Sequence, residues 1–260
     1  MSIITLTTDL GTTDSYAASV KGAILKNYPE ATIVDISHEI PAFDLLRTAF
    51  LIKTCYADFP PGTIHIIGVE SEANIDTPHV VIQYKEQYFI GADNGIFSMI
   101  FDTVPEKAIA LDFYSDTELI TFPTKDVFVK AACHIARGGT MEMLGKPLNK
   151  LNAKQMFRAL TENDTIVGIA IYIDHYGNII TNIPKQLFLE FGKGRDFQIL
   201  FREADYNISE ISKSYKDVPN GERLALFSST GFIEIAINNG RATDLFGIEF
   251  KDTIRIQFYD

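Results

Sequence analysis

The first part of the chain alternates short apolar runs with segments of helical periodicity. Ile3–Thr7 is typical of a buried strand, and Ala17–Lys26 carries apolar residues at the spacing of one helix face. Thr32–Ile36 predicts a second strand. Asp44 then stands where a helix N-cap is expected, ahead of an apolar stretch that the Pro60-Pro61-Gly62 turn closes.

The same alternation continues to about residue 150. Thr63–Ile67, Val80–Tyr84 and Tyr88–Ile90 predict strands, and a helix is predicted from Asp126 to Ile135. Strands that alternate with helices favour a mostly parallel sheet with helices on both faces. We therefore predict an α/β N-terminal domain over residues 1–150.

The pattern changes in the last hundred residues. Short strand-like runs separated by turns follow one another, among them "TIVGIAIYID", "FQILF", "FIEIAIN" and "TIRIQFY". This pattern predicts a smaller all-β domain over residues 164–260, either a barrel or a sandwich. Residues 151–163 are the predicted linker between the two domains.

Composition narrows the class of protein. The 260 residues carry a formal net charge of -11, which argues against nucleic-acid binding. The sequence has neither a membrane-length apolar run nor an N-terminal secretion signal, so no membrane association is expected. The cysteines, Cys55 and Cys133, indicate neither a disulfide framework nor a zinc site. We expect a cytoplasmic protein.

Two carboxylates lie between the first predicted strand and the first predicted helix, in "TTDLGTTDSYAASVKG". Asp9 falls at the carboxyl end of the strand, the edge at which open α/β sheets bind ligands. A carboxylate there can accept two hydrogen bonds from a sugar diol. Asp14 is open to two interpretations, a ligand contact or the cap of the following helix.

Polar residues also interrupt the strands of the second half. In "IDHYGNIITNI" the pattern alone favours a hairpin with Tyr176-Gly177-Asn178 as its turn. Alternation places Glu234 and Asn238 on the solvent side of their strand. Dinucleotide, P-loop and Gly-x-Ser-x-Gly motifs are missing, and the histidines lack metal-ligand spacing. By themselves, these patterns predict a two-domain protein with a polar small-molecule site and no specific chemistry.

Six motifs occur in one order along the chain: "TTDLGTTDSYAASVKG", "IVDISHEIPAFD", "ADNGIFS", "KDVFVKAACHIARG", "IDHYGNIITNI" and "STGFIEIAINNGRA". In this order they resemble the S-adenosylmethionine hydroxide adenosyltransferase family, which also includes fluorinating and chlorinating enzymes. The resemblance implies an α/β N-terminal domain joined to a β-rich C-terminal domain. It also implies a homotrimer whose ligand lies between the N-terminal domain of one subunit and the C-terminal domain of the next.

The resemblance also implies ligand contacts. By position, Asp9 holds the ribose hydroxyls of S-adenosylmethionine, which is a substrate or ligand here, with no further cofactor. Asp14, Asp174 and Ser229 fall where the family holds the methionine portion, with Asn178 nearby.

Further contacts follow from the same motifs. Phe43 falls where the halogenating members place an aromatic ring against the ligand. The backbone around Ile237 and Asn239 matches the part that reads the adenine edge. Glu234 and Asn238 lie in the family's "LEIA-x-N" stretch and complete the predicted substrate-binding set.

The family's hydrolytic members attack C5′ of S-adenosylmethionine with water, using an Asp, an Arg and a His. Gly68 falls at the Asp position, and the Arg position falls near Ile75. Pro123 replaces the His, and Thr124 replaces the Gly after it. The halogenating enzymes place a Ser where Thr124 stands but a Tyr where Gly68 stands. The chain therefore matches neither catalytic pattern.

Thr124 ranks first among the groups able to orient a water or a halide, ahead of Glu70, Glu72 and His79. The expected function is cleavage of S-adenosylmethionine by water to adenosine and methionine. The alternatives are an inactive homologue that binds S-adenosylmethionine or adenosine, and a 5′-halogenating variant. A scaffold that has kept only the fold is the remaining reading.

Overall fold

A computed structural model describes residues 2–112, 121–154 and 157–259. The chain forms two compact units, Met1–Gln155 and Met156–Asp260. The division falls within the predicted linker. Among the described residues, no helix has both the length and the apolar character needed to cross a membrane.

The strands of the N-terminal unit form one seven-stranded sheet in the order β2-β1-β3-β5-β4-β6-β7. Its strands are β1 Ile3–Thr8, β2 Thr32–Ser37, β3 Ile64–Gly68, β4 His79–Tyr84, β5 Gln87–Ala92, β6 Lys107–Leu111 and β7 Gly145–Pro147. Strands β1, β2, β3 and β5 pair in parallel, whereas β4 pairs antiparallel with β5 and β6, and β6 pairs antiparallel with β7.

The sheet is mixed, so the prediction of a mostly parallel sheet was wrong. The reason lies between β4 and β5, where Lys85 and Glu86 have φ angles of 48° and 60°. Positive φ at both residues makes a tight hairpin turn, and such a turn joins antiparallel strands. Lys-Glu is not a typical sequence for this turn, so the pattern gave no signal of it.

Helices of the N-terminal unit pack against this sheet. They are α1 Tyr16–Asn27, α2 Leu45–Cys55, α3 Ile96–Ile100 and α4 Val129–Ala136, the last preceded by a π-helical turn, Thr124–Phe128. The predicted cap of α2 is confirmed, because the Asp44 carboxylate accepts a hydrogen bond from the Arg47 backbone N–H at 3.0 Å. Ile4 and Leu6 of β1 pack in one core with Val20 and Ile24 of α1.

The C-terminal unit is built on an eight-stranded sheet in which β8 pairs with β9 beside the path β11-β15-β9-β10-β14-β13-β12. Its strands are β8 Leu160–Glu162, β9 Thr165–Ile173, β10 Ile179–Pro184, β11 Asp196–Leu200, β12 Ile211–Ser212, β13 Arg223–Phe227, β14 Phe232–Ile237 and β15 Thr253–Tyr259. Among the described residues of this unit, the α-helices are α5 Lys185–Gly192 and α6 Ala242–Phe246.

The prediction of an all-β unit was therefore wrong in one respect. Helix α5 buries Phe188 in the core of this unit, beside Ile199 and Phe258. The segment "KQLFLEFG" carries the helical spacing of apolar residues that strand-like neighbours on both sides obscured. The unit remains rich in strands, and its α-helices lie in the connections between strands, α5 between β10 and β11 and α6 between β14 and β15.

Strand register in this unit determines which polar residues meet. Ile179, at the start of β10, pairs with Ile235 near the end of β14. At the other end of the same two strands, Pro184 pairs with Phe232. Residues just before β10 and just after β14 therefore lie at one end of the sheet, and the β13–β14 turn lies at the other.

Candidate functional site

A cleft of about 950 Å³ opens at the end of the C-terminal sheet where β10 begins and β14 ends. Its lining comes from three segments, 174–178, 214–220 and 237–241. Asp174, Asn178, Asn238 and Asn239, four of the residues predicted to bind ligand, line it together.

The first segment is a polar turn closed on itself. The Asp174 carboxylate accepts hydrogen bonds from the Asn178 backbone N–H at 2.8 Å and from the Asn178 side-chain amide at 2.9 Å. Gly177 between them has a φ of 80°, and a Cβ there would lie 2.9 Å from the Arg241 side chain. The predicted hairpin is confirmed, since this turn joins the antiparallel strands β9 and β10. The same residues face the cleft, so turn and ligand interpretations are compatible.

The third segment continues β14. The Asn238 side-chain amide donates to the Val218 carbonyl at 2.7 Å, and the Asn239 amide donates to Asn220 at 2.9 Å. Asn239 has a φ of 54°, which turns the backbone sharply after the strand. These bonds hold the end of β14 against segment 214–220.

Glu234 and Asn238 are buried, with 4% and 7% of their surface exposed, so the prediction that they face solvent was wrong. Segment 214–220 covers the face of β14 that alternation assigned to water. Glu234 accepts a hydrogen bond from the Tyr215 hydroxyl at 2.6 Å. No periodic pattern in the sequence indicated a role for Tyr215. Its place in the lining of the cleft is visible only in the folded unit.

Electrostatics around Glu234 follow from its burial. Desolvation raises the pKa of the Glu234 carboxyl, the Tyr215 hydrogen bond opposes that rise, and the charge of Asp174 adds to it. Burial also raises the pKa of Tyr215, and the hydrogen bond to Glu234 adds to the effect. Tyr215 is therefore a neutral donor across the physiological range.

Ser229 lies apart from this cleft. It is exposed in the turn between β13 and β14, at the opposite end of the sheet from Asn239. Within the C-terminal unit, the structure does not bring Ser229 together with Asp174. Its role as a methionine contact stays a prediction.

In the N-terminal unit, Asp9 follows β1 and is linked to Phe43. The Asp9 carboxylate accepts a hydrogen bond from the Phe43 backbone N–H at 2.9 Å through Oδ2. Phe43 has a φ of 64° and exposes 71% of its surface, an unusual state for a large aromatic residue. The bond orients the carboxylate and holds the backbone of Phe43 beside it, which suits a shared ligand contact.

Asp14 is exposed in the loop before α1. The N-cap position of α1 is Ser15, and no side chain caps the helix there. Of the two interpretations of Asp14, the helix cap was therefore wrong. The ligand contact stays a prediction.

Gly68 and Thr124 occupy one space at the carboxyl end of β3. A Cβ on Gly68 would lie 2.7 Å from both Oγ1 and Cγ2 of Thr124. Thr124 exposes only 1% of its surface, and its hydroxyl has no hydrogen-bond partner among the described residues. Thr124 fills the room that a side chain at position 68 requires. A buried hydroxyl without a partner costs on the order of 1–3 kcal/mol, so Thr124 is a candidate for a functional role.

Of the other substitutes for the missing catalytic groups, His79 and the backbone of Glu70 have structural partners, and Glu72 is exposed. The His79 ring makes a hydrogen bond to the Ser71 carbonyl at 2.8 Å and packs edge-on against Phe128. Burial lowers the pKa of His79, so the neutral ring is favoured. Glu70 has a φ of 45°, and its carbonyl accepts a hydrogen bond from the Asn94 side chain at 3.1 Å. These contacts shape the loop after β3.

Asp93, in the motif "GADNGIFS", exposes only 2% of its surface, and the sequence pattern did not predict this buried carboxylate. It accepts the Asn152 backbone N–H at 2.9 Å and 3.1 Å through its two oxygens. Burial raises the pKa of Asp93, and these bonds oppose the rise. Its partner lies 59 positions away along the chain, so no local spacing signals the contact.

Two domain families match the chain. Residues 4–145 match the SAM hydroxide adenosyltransferase N-terminal domain, and residues 168–255 match the SAM hydroxide adenosyltransferase C-terminal domain. The chain belongs to this family. The resemblance found in the six sequence motifs is thereby confirmed.

Individual relatives agree with this assignment. The chain is 29% identical to an (R)-S-adenosyl-L-methionine hydrolase of Methanocaldococcus jannaschii, over 98% of this chain and 96% of the relative. It is 25% identical to a fluorinase of Actinoplanes sp., over 91% of each chain. A crystal structure of an uncharacterized conserved protein from Thermotoga maritima has a TM-score of 0.88 and 28% identity, covering 99% of this chain and 100% of that one. The hydrolase match is thus the more extensive of the two enzyme matches.

Proposed function

We propose that this protein cleaves S-adenosylmethionine at C5′ with water, yielding adenosine and methionine. The observation that carries the proposal is the pair of carboxylates, Asp9 and Asp174, each oriented by backbone hydrogen bonds inside a family-matched unit. The likeness to a relative named as a hydrolase supports the choice of water as nucleophile.

The ligand contacts of the proposal span both units. Asp9 binds the ribose hydroxyls, and Phe43 packs its exposed ring against the ligand. Asp14, Asp174 and Ser229 bind the methionine portion. A carboxylate already held by an N–H donor loses little freedom on binding, which favours affinity.

The adenine end of the ligand is assigned to the cleft of the C-terminal unit. The backbone around Ile237 and Asn239, which lines this cleft together with Asp174 and Asn178, offers donors and acceptors for a heterocyclic edge. Glu234 and Asn238 belong to the same set. Glu234 lies behind the lining and binds Tyr215, whereas Asn238 lines the cleft and binds the Val218 carbonyl.

The reaction needs no general acid to protonate the leaving group. The water oxygen attacks C5′, the C5′–S bond breaks with its electron pair going to sulfur, and the sulfonium becomes a neutral thioether. The attacking water forms the C5′–O bond and passes one proton to solvent water, which leaves the neutral 5′-hydroxyl of adenosine. Catalysis then rests on in-line positioning and on desolvation of the nucleophile. Thr124, with its unpartnered hydroxyl, is the proposed group that orients the water.

A second candidate function is binding of S-adenosylmethionine or adenosine without turnover. The positions at which the hydrolytic members carry Asp, Arg and His hold Gly68, a residue near Ile75, and Pro123. Neither Gly68 nor Pro123 has a side chain that accepts or donates a proton, and no Lys or Arg lies near Ile75 in the sequence. A 5′-halogenating variant is the remaining alternative, supported by the fluorinase likeness alone.

The proposed assembly is a homotrimer with its site at the subunit interface, acting in the cytoplasm. The proposed ligand contacts come from both units, and the family arrangement joins the N-terminal unit of one subunit to the C-terminal unit of the next. Analytical ultracentrifugation at micromolar concentration tests this. A monomer would contradict the composite site.

The experiment that tests the function is chromatography of S-adenosylmethionine after incubation with the pure protein. We expect adenosine and methionine with the native chain, and strongly reduced formation with Asp9→Asn, whose affinity for adenosine falls by about 1–3 kcal/mol. Asp58→Asn, an exposed carboxylate outside the site, serves as the matched control.

Chloride is varied across the same samples. A chlorinated nucleoside would favour the halogenating alternative. Intact S-adenosylmethionine together with measurable affinity would favour the binding protein, and the hydrolase proposal would then be abandoned.

A further inference from the structure

Segment 214–220, here called the cleft wall, forms one side of the cleft opposite the Asp174–Asn178 turn. It consists of a 3-10 turn, Tyr215–Asp217, and the loop that follows, and it belongs to no strand. Its ends are fixed by the pairing of β12 with β13 and by the Gly221 N–H bond to the Asn238 carbonyl at 2.7 Å. Between these ends its position depends on side-chain contacts with the sheet beneath. The width of the cleft depends on that position.

Strand β14 supplies those contacts from one face. The wall lies against every second residue of this strand, Glu234 and Ala236, and against Asn238 just after it. The small Ala236 packs with Leu224 and Leu226 against Val218 of the wall. The apolar part of this contact is small. Polar bonds on both sides of Ala236 therefore carry much of the attachment.

The two polar bonds differ in kind. Asn238 binds the Val218 carbonyl, a bond between neutral groups. Glu234 receives the Tyr215 hydroxyl at 2.6 Å, a distance typical of a bond to a carboxylate. Tyr215 exposes 42% of its surface and lines the cleft, so the ring itself is available to a ligand while its hydroxyl is held from behind.

We propose that Glu234 is a positioning residue that acts through Tyr215, holding the cleft wall at the distance that the ligand requires. This rests on the proposed function, because the cleft is assigned there to the adenine end of the ligand. A glutamate at a 4% exposed position is costly to bury, and a core role alone does not require its charge. The raised pKa of its carboxyl is consistent with that cost.

The test compares Tyr215→Phe, Glu234→Gln and the double variant in the full-length protein. Affinity for adenosine and for S-adenosylmethionine is measured by calorimetry, and thermal unfolding is recorded for each. We expect about five- to twenty-fold weaker binding for Tyr215→Phe, since the hydroxyl that anchors the wall is gone. Glu234→Gln keeps an acceptor and is expected to lose less.

Because both residues act through one bond, the double variant is expected to bind no more weakly than Tyr215→Phe alone. Tyr259→Phe removes a hydroxyl that donates to Gln198 outside the cleft, and its affinity is expected to match the native chain. Additive losses in the double variant would overturn the inference. So would affinities within twofold of native accompanied by a lower unfolding temperature, the result of a merely structural role.

Hydrogen exchange separates this inference from the proposed function. If the native chain binds neither ligand, the proposed function fails, and the inference is decided by the amides of residues 213–221. Faster exchange there in both single variants, with native exchange in β15, would support a wall held by Glu234. Unchanged exchange would overturn it.

Discussion

The candidate residues of the two units are arranged differently. In the C-terminal unit, Asp174, Asn178 and Asn239 meet in one cleft and are tied by short hydrogen bonds. In the N-terminal unit, Asp9 is tied to Phe43, whereas Asp14 is exposed and Thr124 is buried. The C-terminal unit thus has an organised cleft lined by predicted ligand contacts. The N-terminal unit contains the positions at which the chain departs from the family's catalytic groups.

The two units are also expected to respond differently to acid. His65 in the N-terminal unit is fully buried, with hydrogen bonds to Thr5 at 2.8 Å and Gln87 at 3.0 Å. Burial lowers the pKa of His65 from 6.5 to about 4. The raised pKa of Glu234 gives the C-terminal unit the opposite tendency, since protonation there relieves a buried charge.

The largest expected effect follows from His65. Between pH 6.5 and 4 the unfolded state binds a proton at this residue and the folded state does not, so the free energy of unfolding falls with decreasing pH. The slope is about 1.4 kcal/mol per pH unit, or about 3 kcal/mol over the window. Hydrogen exchange of β1 and β3 at pH 7, 5.5 and 4.5 measures it. His65→Gln should flatten the slope and His134→Gln should retain it, and equal slopes would contradict the assignment.

The next effect tests the shared space of Gly68 and Thr124. Gly68→Asp is expected to lower the free energy of unfolding by about 2 kcal/mol, because its Cβ would lie 2.7 Å from Thr124. Adding Thr124→Gly should recover about half of that loss. Gly22→Asp, at a helix position with open space, is the control for a new aspartate. Thr124→Gly is also measured alone, and losses that add in the double variant would show that the two positions are independent.

A smaller effect is expected within the cleft. Asn178→Ala removes the side-chain bond to Asp174 and leaves the backbone bond, so affinity for S-adenosylmethionine should fall by about 1 kcal/mol. Titration calorimetry measures the change, with Asn27→Ala on α1 as the control. An unchanged affinity would show that this turn does not contribute to ligand binding.

The smallest effect concerns Ser229. If it contacts the methionine portion in the assembled protein, Ser229→Ala lowers affinity for S-adenosylmethionine by about 0.5–1 kcal/mol and leaves adenosine unaffected. The ratio of the two dissociation constants is the measurement, and Ser209→Ala is the control. Equal ratios in both variants would exclude Ser229 from the site.

Local chemistry made several features of the fold predictable. The cap at Asp44 and the turn around Gly177 depend on residues within a few positions of each other, and both were predicted correctly. The hairpin at Lys85 and Glu86 was missed because its residues are atypical of the turn they form. Helix α5 was missed because eight helical residues lie among strand-like runs.

The sequence by itself determined the family, the order of most strands and helices, and the residues that carry the polar chemistry. Each of these depends on local spacing or on motifs that keep their order along the chain. Only the tertiary structure decided that Glu234 is buried under Tyr215 and that Thr124 occupies the space beside Gly68. Both contacts join residues far apart in sequence, and burial by a distant segment leaves no trace in the periodicity of the strand that it covers.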